Sequence, residues 1–203
     1  MHPNFTIISG GQTGPDTAAL RVAVSHRVPY SGFVPHGFIN ERGRISEEFI
    51  SSPYGSLRET QSPGSAERTR LNTEEADGIL TLSFCNEEDM ATISAGTEIG
   101  VEVGKEQRKH MYFVNLRRFR EEGGGEREID AVIRWFDETN TERCAIGGPR
   151  ESEEPGVERE SEEFLNKLFE KIKARGWRSI RFGGGPPKEK PVGPFLKDNK
   201  WAF

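Results

Sequence analysis

Five short apolar runs, set apart by stretches with helical spacing, limit the fold of this chain more than any other feature. The runs are Phe5–Ile8, Pro29–Pro35, Ile79–Ser83, Met111–Asn115 and Cys144–Gly147. Candidate helices run from about Asp16 to Ser25, Ser65 to Ala76, Glu98 to Lys109, Ile129 to Phe136 and Gly156 to Ala174. Strands alternating with helices predict an α/β parallel sheet with helices on both faces, because parallel neighbours need a crossover connection. On the last helix Phe164, Leu165, Leu168, Phe169 and Ile172 share one stripe, which must face a core. Two segments lack any period: His36 to Ser65 reads as a long loop, and Arg117 to Glu128 as a charged linker.

A length of 203 residues suits one well-cored domain, read here as residues 1–176. Residues 177–203, rich in Gly and Pro, cannot bury a core of their own and read as an extended tail with Phe195, Trp201 and Phe203 as aromatic anchors. The net charge of -5 argues against wrapping nucleic acid, which needs a basic face. Cys85 and Cys144 lack the paired spacing of a zinc site, so buried thiols and no protein-ligated metal are expected. The start MHPNFTIIS lacks the basic and apolar parts of a signal peptide, and no apolar run approaches the roughly 20 residues that span a bilayer. A soluble cytoplasmic protein without a membrane partner is the expectation.

Three loops at expected strand ends stand out. Residues Ser9, Gly10, Gly11, Gln12, Thr13 and Gly14 lie between the first strand and a helix. Such a turn either only reverses the chain, because Gly accepts backbone angles other residues avoid, or cradles an anion on successive N–H groups at a helix start. Ser94, Ala95, Gly96 and Thr97 form the second loop, and Gly147, Gly148, Pro149 and Arg150 the third, whose arginine suits bidentate contact with phosphate. In an open parallel sheet, ligands bind beyond the carboxyl ends of the strands. Three such loops together favour a ligand site, with Gly10, Gly96 and Gly148 in one cleft.

The chemistry classes with strong motifs are absent. The first loop has neither the Lys-Ser/Thr ending of a nucleoside-triphosphate loop nor Gly-x-Gly-x-x-Gly spacing. Neither a Gly-x-Ser-x-Gly elbow nor a His-Glu-x-x-His helix occurs. The four histidines form no ligand set; only His36, in Val34-Pro35-His36-Gly37 past a strand end, stays a candidate.

ISGGQTGPDTAAL, FVPHGF, LRET with AERTRLN, ADGILTLS, SAGTEIGVEVG and GGPRESEEPGV follow one another in that order. Over roughly residues 5 to 172 this resembles the molybdenum-cofactor carrier proteins, part of the wider YpsA-like and LOG-like Rossmann set. The resemblance implies a Rossmann-like fold, homo-oligomers (dimers or tetramers) and binding of molybdenum cofactor, an anionic pterin bearing a phosphate, with molybdenum enzymes as partners. It favours the cradle over the plain turn. Gly10, Gly11, Gln12, Thr13, Gly14 and Asp16 would form one part of the site, and Pro35, His36 and Gly37 another. Arg68, Asn72, Ser94, Gly96 and Thr97, with Gly148, Pro149 and Arg150, would complete it, and Arg68 or Arg150 would compensate the ligand's charge.

The chain departs from the family pattern. His36 stands where a lysine is usual, and Thr17 where an arginine often follows the aspartate. LOG relatives that cleave nucleoside monophosphates place a glutamate three residues after the Gly-Thr threonine; here Glu98 follows directly and Glu102 comes later. These two remain the candidate acid–base residues of an N-glycosidase, but the spacing favours binding over cleavage, with a non-catalytic nucleotide sensor or interaction module as the other alternative. A bulky residue at Gly11 should then block the ligand while the fold survives, and Trp135, Phe136 and the aromatic tail should supply a surface for association.

Overall fold

The structure, a computed structural model, describes residues 2, 4–121 and 125–177, so the expected tail beyond Trp177 lies outside the described residues. The chain runs β1 (Thr6–Ile8), α1 (Pro15–His26), β2 (Tyr30–Val34), β3 (Ile39–Asn40), β4 (Gly43–Arg44), α2 (Glu47–Ile50), β5 (Ser51–Ser52) and β6 (Gly55–Glu59). It continues with α3 (Ser65–Glu75), β7 (Gly78–Ser83), a 3-10 turn (Glu87–Asp89), α4 (Met90–Ile93), α5 (Ala95–Glu106) and β8 (His110–Asn115). α6 (Leu116–Glu121), α7 (Glu126–Thr139), β9 (Arg143–Gly147) and α8 (Val157–Ala174) follow.

Seven strands form one sheet in the order β5-β6-β2-β1-β9-β7-β8, parallel throughout except for the antiparallel edge pair β5–β6. From β1 the chain builds outward through β2 and β6. It then returns to the other side, and β9, the last strand, slots between β1 and β7. The order of strands therefore reverses at β1, where an open sheet leaves a crevice at its carboxyl edge.

Because parallel strands are covered on both faces, they are apolar along their length. All six residues of β7 are buried, as are Phe5, Ile7 and Ile8 at β1. α8 packs on α1, α6 and α7, while α3 packs on α5. Phe5 meets Phe136 edge to face at 5.0 Å and Phe169 at 6.1 Å, and each fully buried side chain of this size contributes about 1.5–3 kcal/mol. The two ends of the described chain also meet: Trp177 Nε1 donates to the His2 carbonyl at 3.0 Å.

The structure corrects three expectations. The segment 36–65 is not a plain loop but holds the β3–β4 hairpin, α2, β5 and β6, the last a full member of the sheet. The stretch 117–128 carries most of α6, held by buried Leu116 and Phe119, and the first turn of α7. Trp135 and Phe136 offer no surface for association, being 9% and 0% exposed in the core.

Candidate functional site

β1 ends early, and that makes room for the glycine loop. Every second residue along β2 and its approach turns its backbone toward β1: the carbonyl of Pro29, just before β2, accepts from Ile7 N at 2.9 Å and Ser31 O from Ser9 N at 3.0 Å. Phe33 comes next and has no β1 residue to meet. The Asn72 side chain takes that place, with Phe33 N donating to Oδ1 at 2.7 Å and Nδ2 donating to Phe33 O at 2.9 Å. Asn72 thus acts as a stand-in peptide unit that moors α3 to β2.

The N–H groups of the glycine loop are largely committed to the protein's own oxygens. Gly10 N donates to Asp16 Oδ1 at 2.9 Å, Gly11 N to Ser9 Oγ at 3.2 Å and Gly14 N to Glu158 Oε2 at 3.0 Å. Gln12 Oε1 accepts from Thr13 N and from Glu41 N, both at 3.0 Å. Thr13 Oγ1 donates to the Glu41 carboxylate and accepts from Glu151 N. The loop is an anion cradle, but Asp16 and Glu158 already fill much of it. Gly11 turns its missing side chain toward Ile45 and Val34, about 2.8 and 2.9 Å from where a Cβ would sit, with φ +65°. A bulky residue there would strain the fold rather than block a ligand, contrary to the sequence-based expectation.

Beside the loop, Arg68 Nη1 pairs with Asp16 Oδ1 at 3.1 Å, with the two side chains 12% and 5% exposed. Burial pushes the Asp16 carboxyl above its ordinary range, against the pull of Arg68 and of the Gly10 and Gln12 N–H groups. Arg68 Nε and Thr69 Oγ1 are buried without a hydrogen-bond partner.

These groups line a cleft at the carboxyl edge of the sheet. It brings Gly10, Asp16, Arg68, Asn72, Ser94, Gly96, Thr97, Gly148 and Arg150 together. Its apolar lining comes from Ile8, Ile79, Val101 and Ile146. α5 begins at the cleft with Ser94 as its cap, whose Oγ accepts from Thr97 N at 3.3 Å and from Thr97 Oγ1 at 3.0 Å. The position of a Cβ on Gly96 has no heavy atom within 4 Å, so the first turn of α5 is open there. A helix start presents unpaired N–H groups and a partial positive charge. Arg150 also lines the cleft, and its positive charge helps hold the Glu41 carboxyl below its ordinary range, after the hydrogen bonds from Ser152 and Thr13.

Other sequence candidates stand elsewhere. Gly11, Gln12, Thr13, Gly14 and Pro149 do not line the cleft, nor do Pro35, His36 and Gly37. His36 is exposed and pairs with Glu59 at 2.8 Å. Glu98 and Glu102 on α5 are also outside the lining, with Glu102 on the solvent side. Ser94 does not follow a strand directly; residues 84–93, with the 3-10 turn and α4, intervene after β7. Sequence reasoning missed Thr69, Thr73 and Thr81, which also line the cleft. Arg68, Thr69, Asn72 and Thr73 share one face of α3 at i, i+1, i+4 and i+5, a spacing that could have revealed them. Among the described residues no cluster of His, Cys, Asp or Glu could hold a metal ion, and no helix is long and apolar enough to cross a membrane.

The model of the circularly permuted YpsA family, within the SLOG group, matches residues 7–169. The crystal structure of a "Putative molybdenum carrier protein" from Syntrophus aciditrophicus SB superposes with a TM-score of 0.70 and 28% identity. That likeness covers 83% of this chain and 97% of the other. No curated protein matches the chain.

Proposed function

The chain belongs to the circularly permuted YpsA family, and from that premise we propose that it binds a phosphate-bearing small molecule, with molybdenum cofactor as the favoured cargo, and carries it unchanged. The observation behind this reading is one cleft that pairs the open start of α5 at Gly96 with the guanidinium-bearing Arg150. A phosphate there would accept from the first N–H groups of α5 and from the Arg150 guanidinium. The Thr69 hydroxyl, buried without a partner, would gain one. The apolar lining of Ile79, Val101 and Ile146 would take the adjoining uncharged part of the ligand. The name of the Syntrophus protein supports molybdenum over a plain nucleotide.

Cleavage is disfavoured by geometry. A glycosidase needs a carboxyl group within reach of the scissile bond. Glu98 and Glu102 lie outside the cleft lining, and Asp16 is committed to Gly10 N and Arg68. In this reading the protein hands its cargo to molybdenum enzymes in the cytoplasm and works as a homo-oligomer, a dimer or tetramer.

Titration of isolated molybdenum cofactor, then of a nucleoside monophosphate, against wild type, Arg150→Ala and Gly96→Val tests the proposal. A charge-assisted contact is worth about 1.5–3 kcal/mol, so Arg150→Ala should weaken binding roughly 10- to 100-fold. Equal binding by all three proteins would refute it. Release of free base from the monophosphate would instead favour the hydrolase.

A further inference from the structure

Arg150 sits on a turn between β9 and α8 whose N–H groups are gripped one after another. Arg150 N donates to Glu153 Oε2 at 2.8 Å, Glu151 N to Thr13 Oγ1 at 3.1 Å and Ser152 N to Glu41 Oε1 at 3.3 Å. The first grip is local. The other two come from far along the chain and meet at one carboxylate, because Thr13 Oγ1 and Ser152 Oγ both donate to Glu41. Glu41 therefore joins the glycine loop, the β3–β4 hairpin and the turn that carries Arg150.

The hairpin is fixed where it can do this. Its strands have two residues each and pair only with one another, so it has little stability of its own. Polar contacts at its tip hold it instead. Asn40 Nδ2 donates to Gly11 O and Glu41 N to Gln12 Oε1, both at 3.0 Å. Arg42 Nη1 donates to both oxygens of Glu158, at 2.9 and 2.8 Å, and Glu158 in turn holds Gly14 N.

Glu41 does not line the cleft, but it acts on a cleft cation in two opposed ways. Burial would raise its carboxyl, yet the hydrogen bonds from Ser152 and Thr13, with the positive charge of Arg150, hold it below the ordinary range. It is thus an anion at neutral pH, and its charge works against a phosphate that shares Arg150. Its hydrogen bonds, on the other hand, order the turn from which Arg150 reaches the cleft. Glu41 is exposed, so water and salt screen its charge, whereas a loosened turn must be ordered again each time a ligand binds.

We propose that Glu41 is a positioning residue of the phosphate site: from outside the cleft it fixes the turn that bears Arg150, and this outweighs the repulsion from its charge. The inference rests on the cleft being a phosphate site.

Glu41→Gln and Glu41→Ala separate geometry from charge. In the glutamine variant Oε1 still accepts from Thr13 Oγ1 and Ser152 N, and Nε2 donates to Ser152 Oγ, so the joint survives without its charge. Thermal melts fix a temperature at which every variant is folded. Inorganic phosphate is then titrated into ¹⁵N-labelled protein at constant ionic strength and followed at the Gly96 and Thr97 amides. Glu41→Gln should bind at least as tightly as wild type, and Glu41→Ala at least about threefold more weakly. Tighter binding by both variants would show that charge alone matters and overturn the proposal. Unchanged binding by Glu41→Ala, or glutamine as weak as alanine, would overturn it too. A cycle with Arg150→Ala tests the route: in that background the loss of Glu41 should change affinity by less than about twofold, and a full threefold loss there would refute action through Arg150. A loss seen with Arg150→Ala but not with Glu41→Ala would leave the cleft reading intact. Silence at Gly96 and Thr97, or wild-type binding by Arg150→Ala, would remove the cleft reading and this inference with it.

Discussion

Removing the Arg68 guanidinium should unfold the loop region rather than empty it of ligand. Arg68 and Asp16 are both nearly buried and meet at 3.1 Å. Taking one partner from a buried ion pair costs about 3–5 kcal/mol, because the remaining charge is left in a poorly polarisable interior. Asp16 keeps the Gly10 and Gln12 N–H donors, so Arg68→Ala should fall at the lower end, about 3 kcal/mol. In a chain of this size that corresponds to a fall in Tm of roughly 6–12 °C. The effect should depend on pH with a defined sign. Burial already holds the Asp16 carboxyl above its unfolded value, so the stability linked to it is complete below the unfolded value and lost as pH rises through the folded one. Without Arg68 the folded value moves further up, and the variant's deficit widens from the carboxylate range toward neutral pH. Calorimetric melts of wild type, Arg68→Ala and Asp16→Asn/Arg68→Ala at about pH 5 and about pH 8 measure this. The double variant, with a neutral amide in the same place, should recover more than half of the loss. A deficit equal at both pH values, or a Tm change under about 2 °C, less than 1 kcal/mol, would refute the argument.

Gly11→Val should lower Tm by several degrees, since it places a β-branched side chain at φ +65° against Ile45 and Val34. Gly96→Val, by contrast, should keep the wild-type melt within about 2 °C, because it meets nothing within 4 Å. Asn72→Ala orphans both Phe33 N and Phe33 O and should cost about 2–4 kcal/mol by urea unfolding, at about 1–2 kcal/mol for each lost bond to a buried backbone group. Burial pushes both thiols up, Cys144 far more than Cys85. A thiol reagent near neutral pH should therefore label Cys85 slowly and reach Cys144 only on unfolding. Labelling of Cys144 in the native protein would contradict its placement in the core.

The strands that are buried on both faces were readable because each is a run of apolar residues: Ile79 to Leu82 can be little else. β6 escaped notice for a physical reason. Of its five residues only Gly55 and Leu57 are buried, so it shows no apolar run and no clear alternation. α6 was hidden in the same way, since Leu116 and Phe119 are its only anchors amid arginines. The site was half legible. Glycines and a helix start announce a cradle from sequence alone, but which anions fill it depends on distant residues. Glu158 reaches Gly14 from 144 positions away and Arg68 reaches Asp16 from 52, and neither pairing leaves a trace in local composition.

The hydrogen bond from Trp177 to His2 makes the order of segments along the chain almost a convention. α8 ends where β1 begins, and β9 already lies beside β1 as the strand of a unit that would come before it. Over residues 2–177, strands, helices and this contact therefore close on themselves like a ring. A cut between residues 60 and 64, after β6, would sever no strand pairing and remove no residue that lines the cleft. The strand pairings on either side of that cut, β2 with β6 and β7 with β9, would stay intact.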